Sequence, residues 1–274
     1  MRDTLRRLLT DPTGLLATVL LIPFLITALF APLIAPYGAD EMIALPLQPP
    51  SWTHLLGTDE LGRDLFSRVV YATPTSMAFG LVATVVALAI GLPWGLLSGW
   101  YGGWFDLVSM RLTDAILAFP QIILAMAVIA VLGPSAPSIM IAIGVVQVPR
   151  FTRLVRAELL GLKNREFVQA ADGFGASTGH LLRRSILPNL RSTIVVQFTL
   201  TFATAVLTEA SLSYLGLGIQ PPTPAWGSML QTSRNFVEQS PGYGIFTGGV
   251  IFLAVLCFSL LGDGIRDVTD TRRR

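Results

Sequence analysis

Apolar residues in this chain do not alternate with polar ones; they gather in long runs separated by short polar stretches. Gly14 to Ala35 carries no charge and exceeds the roughly 20 apolar residues that one membrane crossing needs. Pro23 and Pro32 lie inside it, which membrane helices tolerate. Further runs extend from Ser76 to about Trp100, from about Val108 to Leu132, from about Ser138 to Arg156, from Ser192 to about Gly218 and from about Ile245 to Gly262. The pattern predicts an all-α membrane protein with six transmembrane helices. Between the runs lie a polar stretch from Pro36 to Pro74, a turn at Gly102–Asp106, a charge-free turn at Gly133–Pro137, a central polar segment, and a loop from Ile219 to Gly244.

Composition agrees: 52% of the 274 residues are hydrophobic and 13% charged, against about 25% charged in soluble domains. Mean hydropathy is +0.64. The net charge of +2 is small, but its distribution orients the chain. Arg150, Arg153, Arg156, Lys163, Arg165, Arg183, Arg184 and Arg191 surround the central segment, against Glu158, Glu166 and Asp172. Arg2, Arg6 and Arg7, and the three arginines at 272–274, make both ends basic. Basic short loops stay in the cytoplasm. Six spans with both termini and the central segment inside, and 36–74 outside, satisfy this bias. The expected division is a cytoplasmic N-terminus at 1–13, a first helix and external loop at 14–75, a core at 76–266 containing a cytoplasmic loop at 157–190, and a cytoplasmic tail at 267–274. The first run is too long for a signal-peptide core and has no evident cleavage site, so it reads as a retained helix.

Several chemistries are excluded. A P-loop needs Gly-Lys before Ser or Thr, and Lys163, the sole lysine, follows Leu162. A zincin needs His-Glu-x-x-His; His54 and His180 are far apart and neither lies in a run. No catalytic, cofactor-binding or metal-binding set emerges, and nothing points to nucleic acid. Cys257 reads as a small buried apolar residue. Charges inside the runs stand out. Arg111 and Asp114, three apart, share a helix face and can pair. Arg150, Arg153 and Arg156 form a stripe that can snorkel to the surface. Glu209 either lines a pathway or is held in helix packing by Ser211, Ser213 and Tyr214. Gly80, Gly91, Gly95 and Gly99 permit close approach of a partner helix.

The central segment from Arg165 to Asn189 reads REFVQAADGFGASTGHLLRRSILPN. Phe167, Ala170, Ala171, Phe174 and Leu181 recur at roughly helical spacing, and Gly173, Gly175 and Gly179 divide the segment. Pro188 suits the first turn of a following helix. A short helix bearing a phenylalanine among small residues suits docking into a cleft; alternatively its apolar residues pack on the membrane helices. In the outer stretch, Thr58 or Asp59 can cap a short helix, and Arg63 and Arg68 have carboxylates nearby.

Gln169-Ala170-Ala171, Gly175 and Leu187-Pro188-Asn189 resemble the EAA loop of ABC importer permeases, with Gln169 where the motif's name has Glu. In that family the loop is a short helical hairpin seated in a groove of the ATP-hydrolysing subunit. The resemblance implies an ATPase-coupling surface of Gln169, Ala170, Ala171, Asp172, Phe174, Gly175, Ala176, Ser177, Leu187, Pro188 and Asn189. Leu56 to Met77 resembles the outer signature of the dipeptide, oligopeptide and nickel importer branch: Gly57, Thr58, Asp59, Gly62, Arg63, Asp64, Ser67 and Arg68 fit, and Ala72 stands where glycine is usual. Asp59, Arg63 and Asp64 there serve as a structural cap or as substrate contacts. Asp114 with Ala118-Phe119-Pro120, Arg153 to Arg156, Glu209 to Gly218, Gln220 to Gly227 and Gly262 to Asp267 extend the likeness over nearly the whole chain. The chain resembles the C-type permease of that branch.

The resemblance implies a type I ABC importer permease in a bacterial or archaeal inner membrane. Its expected partners are a homologous B-type permease, two ABC ATPases that bind ATP and Mg, a substrate-binding protein and the bilayer. Dipeptides or oligopeptides are the expected substrates; nickel, metal–chelator complexes and glutathione are the alternatives. An ATP-independent secondary transporter is the rival reading, with Asp114 and Glu209 as its ion sites.

Overall fold

The computed structural model describes residues 10–220 and 222–269. The basic clusters at 2–7 and 272–274, and Pro221, lie outside the described residues. The helices are α1 (Pro12–Ile34), α2 (Leu65–Tyr101), α3 (Gly103–Leu117), α4 (Gln121–Leu132), α5 (Ala136–Lys163), α6 (Glu166–Gly173), α7 (Thr178–His180), α8 (Leu187–Tyr214), α9 (Trp226–Ser233) and α10 (Pro241–Thr269). A π-helical turn, Leu181–Ile186, joins α7 to α8. Among the described residues extended pairing is limited to two isolated bridges, Met42 with Arg63 and Thr58 with Asp64.

Five stretches are long and apolar enough to cross a membrane, and α3 with α4 makes a sixth only as a broken span bent by 97°. The third run, expected as one span from about Val108 to Leu132, breaks at Pro120. Pro120 lacks an N–H and disfavours helical geometry at Phe119 before it, so α3 ends and α4 starts afresh at Gln121. The second helix begins well before Ser76. Asp64 caps it, its carboxylate accepting from the Ser67 N–H at 2.7 Å. Its 37 residues extend about 55 Å at 1.5 Å each, beyond the roughly 30 Å hydrocarbon core. The first turns of α2 therefore extend beyond the hydrocarbon core. They are buried there, with Arg68, Val69 and Ala72 all inside.

α2 and α5 form the spine. A β-carbon at Gly91 would lie 2.5 Å from Phe151 Cβ, and one at Gly95 would lie 2.6 Å from the Thr152 carbonyl oxygen. Gly99 faces Leu159 and Gly80 faces Val206 on α8 in the same way. These glycines are thus consumed within the chain; the expectation that they serve a partner helix is corrected. Side-chain amides tie the remaining core helices together. Gln147 on α5 donates to Thr204 Oγ1 on α8 at 2.7 Å, and Gln121 on α4 donates to Thr208 Oγ1 at 2.9 Å. α1 packs peripherally against α2 and α10 and leaves Leu15, Val19, Ile26 and Leu33 exposed, as a lipid-facing helix would. Cys257 is fully buried and its thiol lies 3.5 Å from the Ala17 carbonyl.

Candidate functional site

The central segment folds into a compact loop at one end of the spine. α5 runs on past Arg156 to Lys163, whose ammonium donates to the Trp100 carbonyl at 2.7 Å and sits 5.2 Å from that indole's centroid. The chain turns at Asn164, and α6 begins. Only Val168 of α6 is buried, at 2% exposure. It packs with Leu96, Val155, Leu159, Ile186 and Leu190, so the loop rests on α2, α5 and the start of α8. Phe167, by contrast, is exposed.

Backbone geometry then fixes how the loop reverses. Gly175 has φ +82°, a region that disfavours a β-carbon. Its N–H bonds the Asp172 carbonyl at 2.8 Å, and the Ala176 N–H bonds the Ala171 carbonyl at 3.1 Å. This pair of bonds is a Schellman close, which satisfies the last carbonyls of α6. It leaves Phe174 at the turn with 93% of its surface exposed. Ser177 Oγ accepts from the His180 N–H at 3.4 Å and starts α7. At the far end Pro188 has no N–H to give. The Leu187 N–H bonds back five residues to Leu182, and Asn189 Nδ2 takes the Ser185 carbonyl at 2.6 Å. The Leu-Pro-Asn run thus accounts for the π turn and for the handover to α8. Gln169, Ala170, Asp172, Gly175, Ser177 and Asn189 are exposed, whereas Ala171, Ala176, Leu187 and Pro188 are part-covered. The geometry combines both readings of the segment: Val168 and Leu181 pack inward, and Phe167 and Phe174 face out.

The outer stretch is a buried ionic cap. Asp59, fully buried, accepts from Arg63 Nε at 2.6 Å and lies 3.3 Å from Arg68 Nε. Arg63 also reaches Glu60 at 2.8 Å, and Arg68 reaches Asp40 at 3.1 Å. Asp64 adds His54 Nδ1 at 3.0 Å to its capping role. Asp59, Arg63 and Asp64 are therefore saturated by protein partners, which fits a structural cap. No sequence pattern singles out His54, because it lies ten residues from its partner in an irregular loop.

The charges within the spans pair differently from the expectation. Asp114 does not pair with Arg111. It bonds Arg153 across to α5, because an arginine on a facing helix reaches the carboxylate end-on. Asp106, which sequence spacing could not single out, takes Arg156 through both nitrogens at 2.5 Å and Ser98 Oγ at 2.5 Å. Two of the three arginines of the α5 stripe, Arg153 and Arg156, thereby take separate partners. Glu209 is 1% exposed, and its Oε1 accepts from Ser213 Oγ at 2.7 Å. Its Oε2 is buried without a hydrogen-bond partner among the described residues. Gly216, φ +87°, closes α8 just beyond it with the same pair of turn bonds as Gly175.

Comparison with known proteins agrees with this architecture. The family model for binding-protein-dependent transport system inner membrane components matches residues 91–274. The model for the N-terminal transmembrane domain of oligopeptide transport permease C matches residues 1–50. The dipeptide transport system permease protein DppC of Alkalihalophilus pseudofirmus is 41% identical over all of this chain and 90% of its own length. The glutathione transport system permease protein GsiD of Escherichia coli is 44% identical over 97% of this chain and 89% of its own, and that of Shigella flexneri is 45% identical over the same shares. Among solved structures, the inward-facing MetNI methionine ABC transporter aligns with a TM-score of 0.60 at 19% identity, covering 75% of this chain and 96% of that one; this is a likeness of fold. Broken third span, loop between α5 and α8, and whole-length identity have one explanation: the chain belongs to the family of binding-protein-dependent transport system inner membrane components, as a multi-pass permease subunit.

Proposed function

We propose that this chain forms half of the translocation pathway of an ATP-driven importer of small peptides, beside a second, homologous permease. A binding protein delivers the peptide to the outer face. Two ATPase subunits on the inner face drive the pathway between inward-open and outward-open states, and the segment from Arg165 to Asn189 passes that motion to the helices. The observation that carries this reading is the loop itself. It is clamped to α2, α5 and α8 through Val168, yet it holds Phe174 almost wholly exposed on a Schellman turn. A phenylalanine in water on an otherwise well-packed loop suits insertion into a partner's cleft; burying it contributes on the order of 2–3 kcal/mol. Small peptides are the favoured substrate class because relatives over 40% identical along nearly the whole chain carry dipeptide and glutathione in their names.

The test is paired: peptide uptake by reconstituted vesicles, and ATP hydrolysis stimulated by the loaded binding protein. Among the described residues, nothing but the adjoining residues lies within 4 Å of a β-carbon added at Gly175, so a defect there arises from the turn or from a partner. Gly175→Asp and Phe174→Ala are expected to lower both uptake and stimulation with the amount of protein in the membrane unchanged. Wild-type transport by both variants would overturn the coupling role.

A further inference from the structure

We propose that Arg111, Arg150 and Arg153, with Asp114, form a transient carboxylate-binding station on the inner half of the substrate pathway; this rests on the peptide-importer reading above. The two α3–α5 ion pairs use Asp106 with Arg156 and Asp114 with Arg153. Arg111 and Arg150 have no partner among the described residues, and both are exposed. The four groups are adjacent. Arg111 lies one helical turn from Asp114, Asp114 touches Arg153, and Arg153 lies one turn from Arg150, spacings that put neighbouring side chains within reach. Three guanidiniums against one carboxylate leave a net charge of about +2 on one two-helix face, in a chain where charge is scarce.

The Asp114–Arg153 pair is not packed away. Its two side chains are 52% and 53% exposed, in contrast with Asp106, which is 17% exposed in its bond to Arg156. The face stays open because α3 stops at Leu117 and the chain bends sharply before α4. Depth matters too. Arg150 lies about 9 Å along α5 from Arg156, where the apolar run ends, at 1.5 Å per residue. Charged groups inside a span face a cavity or pathway rather than lipid.

The ligand chemistry follows from the donors. Guanidinium forks bind carboxylates bidentately, and an acidic peptide carries side-chain carboxylates beyond the C-terminal one that every peptide has. Asp114 supplies the complementary function. It already holds Arg153 and competes with the incoming carboxylate, so that retention stays weak enough for release. Anionic lipid headgroups present the same charge, and the test separates the two sources.

The complete transporter, with its second permease, ATPases and binding protein, is reconstituted in vesicles of zwitterionic lipid and in vesicles containing anionic lipid. Uptake of glutamyl-glutamate and of lysyl-lysine is compared, with ATP hydrolysis measured in parallel. For the double variant Arg111→Gln, Arg150→Gln, acidic-peptide uptake falls about ten-fold. Lysyl-lysine uptake changes by less than about two-fold, and both hold in either lipid. The double Arg→Lys variant keeps the charge and retains most acidic-peptide uptake; it controls for loss of insertion. An equal fall for both peptides, no fall for either, or a defect seen only with anionic lipid would overturn the station. A wild-type assembly that hydrolyses ATP but imports no peptide would instead overturn the functional reading beneath it.

Discussion

Single residues in this chain carry out tasks that their type alone does not reveal. Asp59 is the hub of the outer cap, bonding Arg63, lying beside Arg68, and accepting the N–H groups of Leu61 and Arg63 at 2.9 and 3.0 Å. Removing one partner of a buried ion pair strands the other charge and is strongly destabilising, on the order of 3–5 kcal/mol. Asp59→Asn should therefore lower the melting temperature of the purified assembly by several degrees and open residues 36–64 to protease, whereas Asp40→Asn, at a half-exposed site, should do little. Equal stability of the two variants would remove the cap's structural role. Asp64 and His54 show the limits of sequence reading. The capping bond of Asp64 to Ser67 was not anticipated, and its bond to His54 depends on how an irregular loop closes.

At the scale of elements, hydrophobic runs located every membrane helix, but their ends were set by other forces. α2 was read from Ser76 because Arg68 and Pro74 interrupt the apolar run. In the fold Arg68 is neutralised by Asp59 and Asp40, and Pro74 is accommodated inside the helix, so helix continues outward through both. The third run failed to stay straight because one proline outweighed a continuous apolar pattern. α2 and α5 approach so closely at Gly95 that no larger side chain fits. Gly95→Val would force a contact below 3 Å with the Thr152 carbonyl, and overpacking of this kind costs about 1–3 kcal/mol. The expected outcome is loss of folded, membrane-inserted protein. Gly249→Val, at a position with nothing within 4 Å, should be tolerated. Normal yield of the Gly95 variant would show that the spine yields where we expect it to be rigid.

For the whole molecule, the testable quantity is orientation. With Cys257 replaced by alanine, single cysteines at Glu60, Ser135 and Gln239 should react with an impermeant thiol reagent from outside, and one at Gly175 only from inside. Labelling of Gly175 from outside would sink both the topology and the coupling role. The amino-acid sequence by itself determined the number of membrane runs, their inside–outside bias, and the turn at Gly175, because hydropathy, arginine placement and the need for positive φ are local properties. It also determined the family, whose motifs are local strings. Only the tertiary structure decided which charges meet. Asp114 prefers Arg153 on α5 over Arg111 one turn away, and Asp106 pairs with Arg156 fifty residues on, because facing helices bring side chains end to end in a way that sequence distance does not encode. The glycines of α2 were likewise assigned only in three dimensions: a small residue signals close approach, but the packing alone says to which helix.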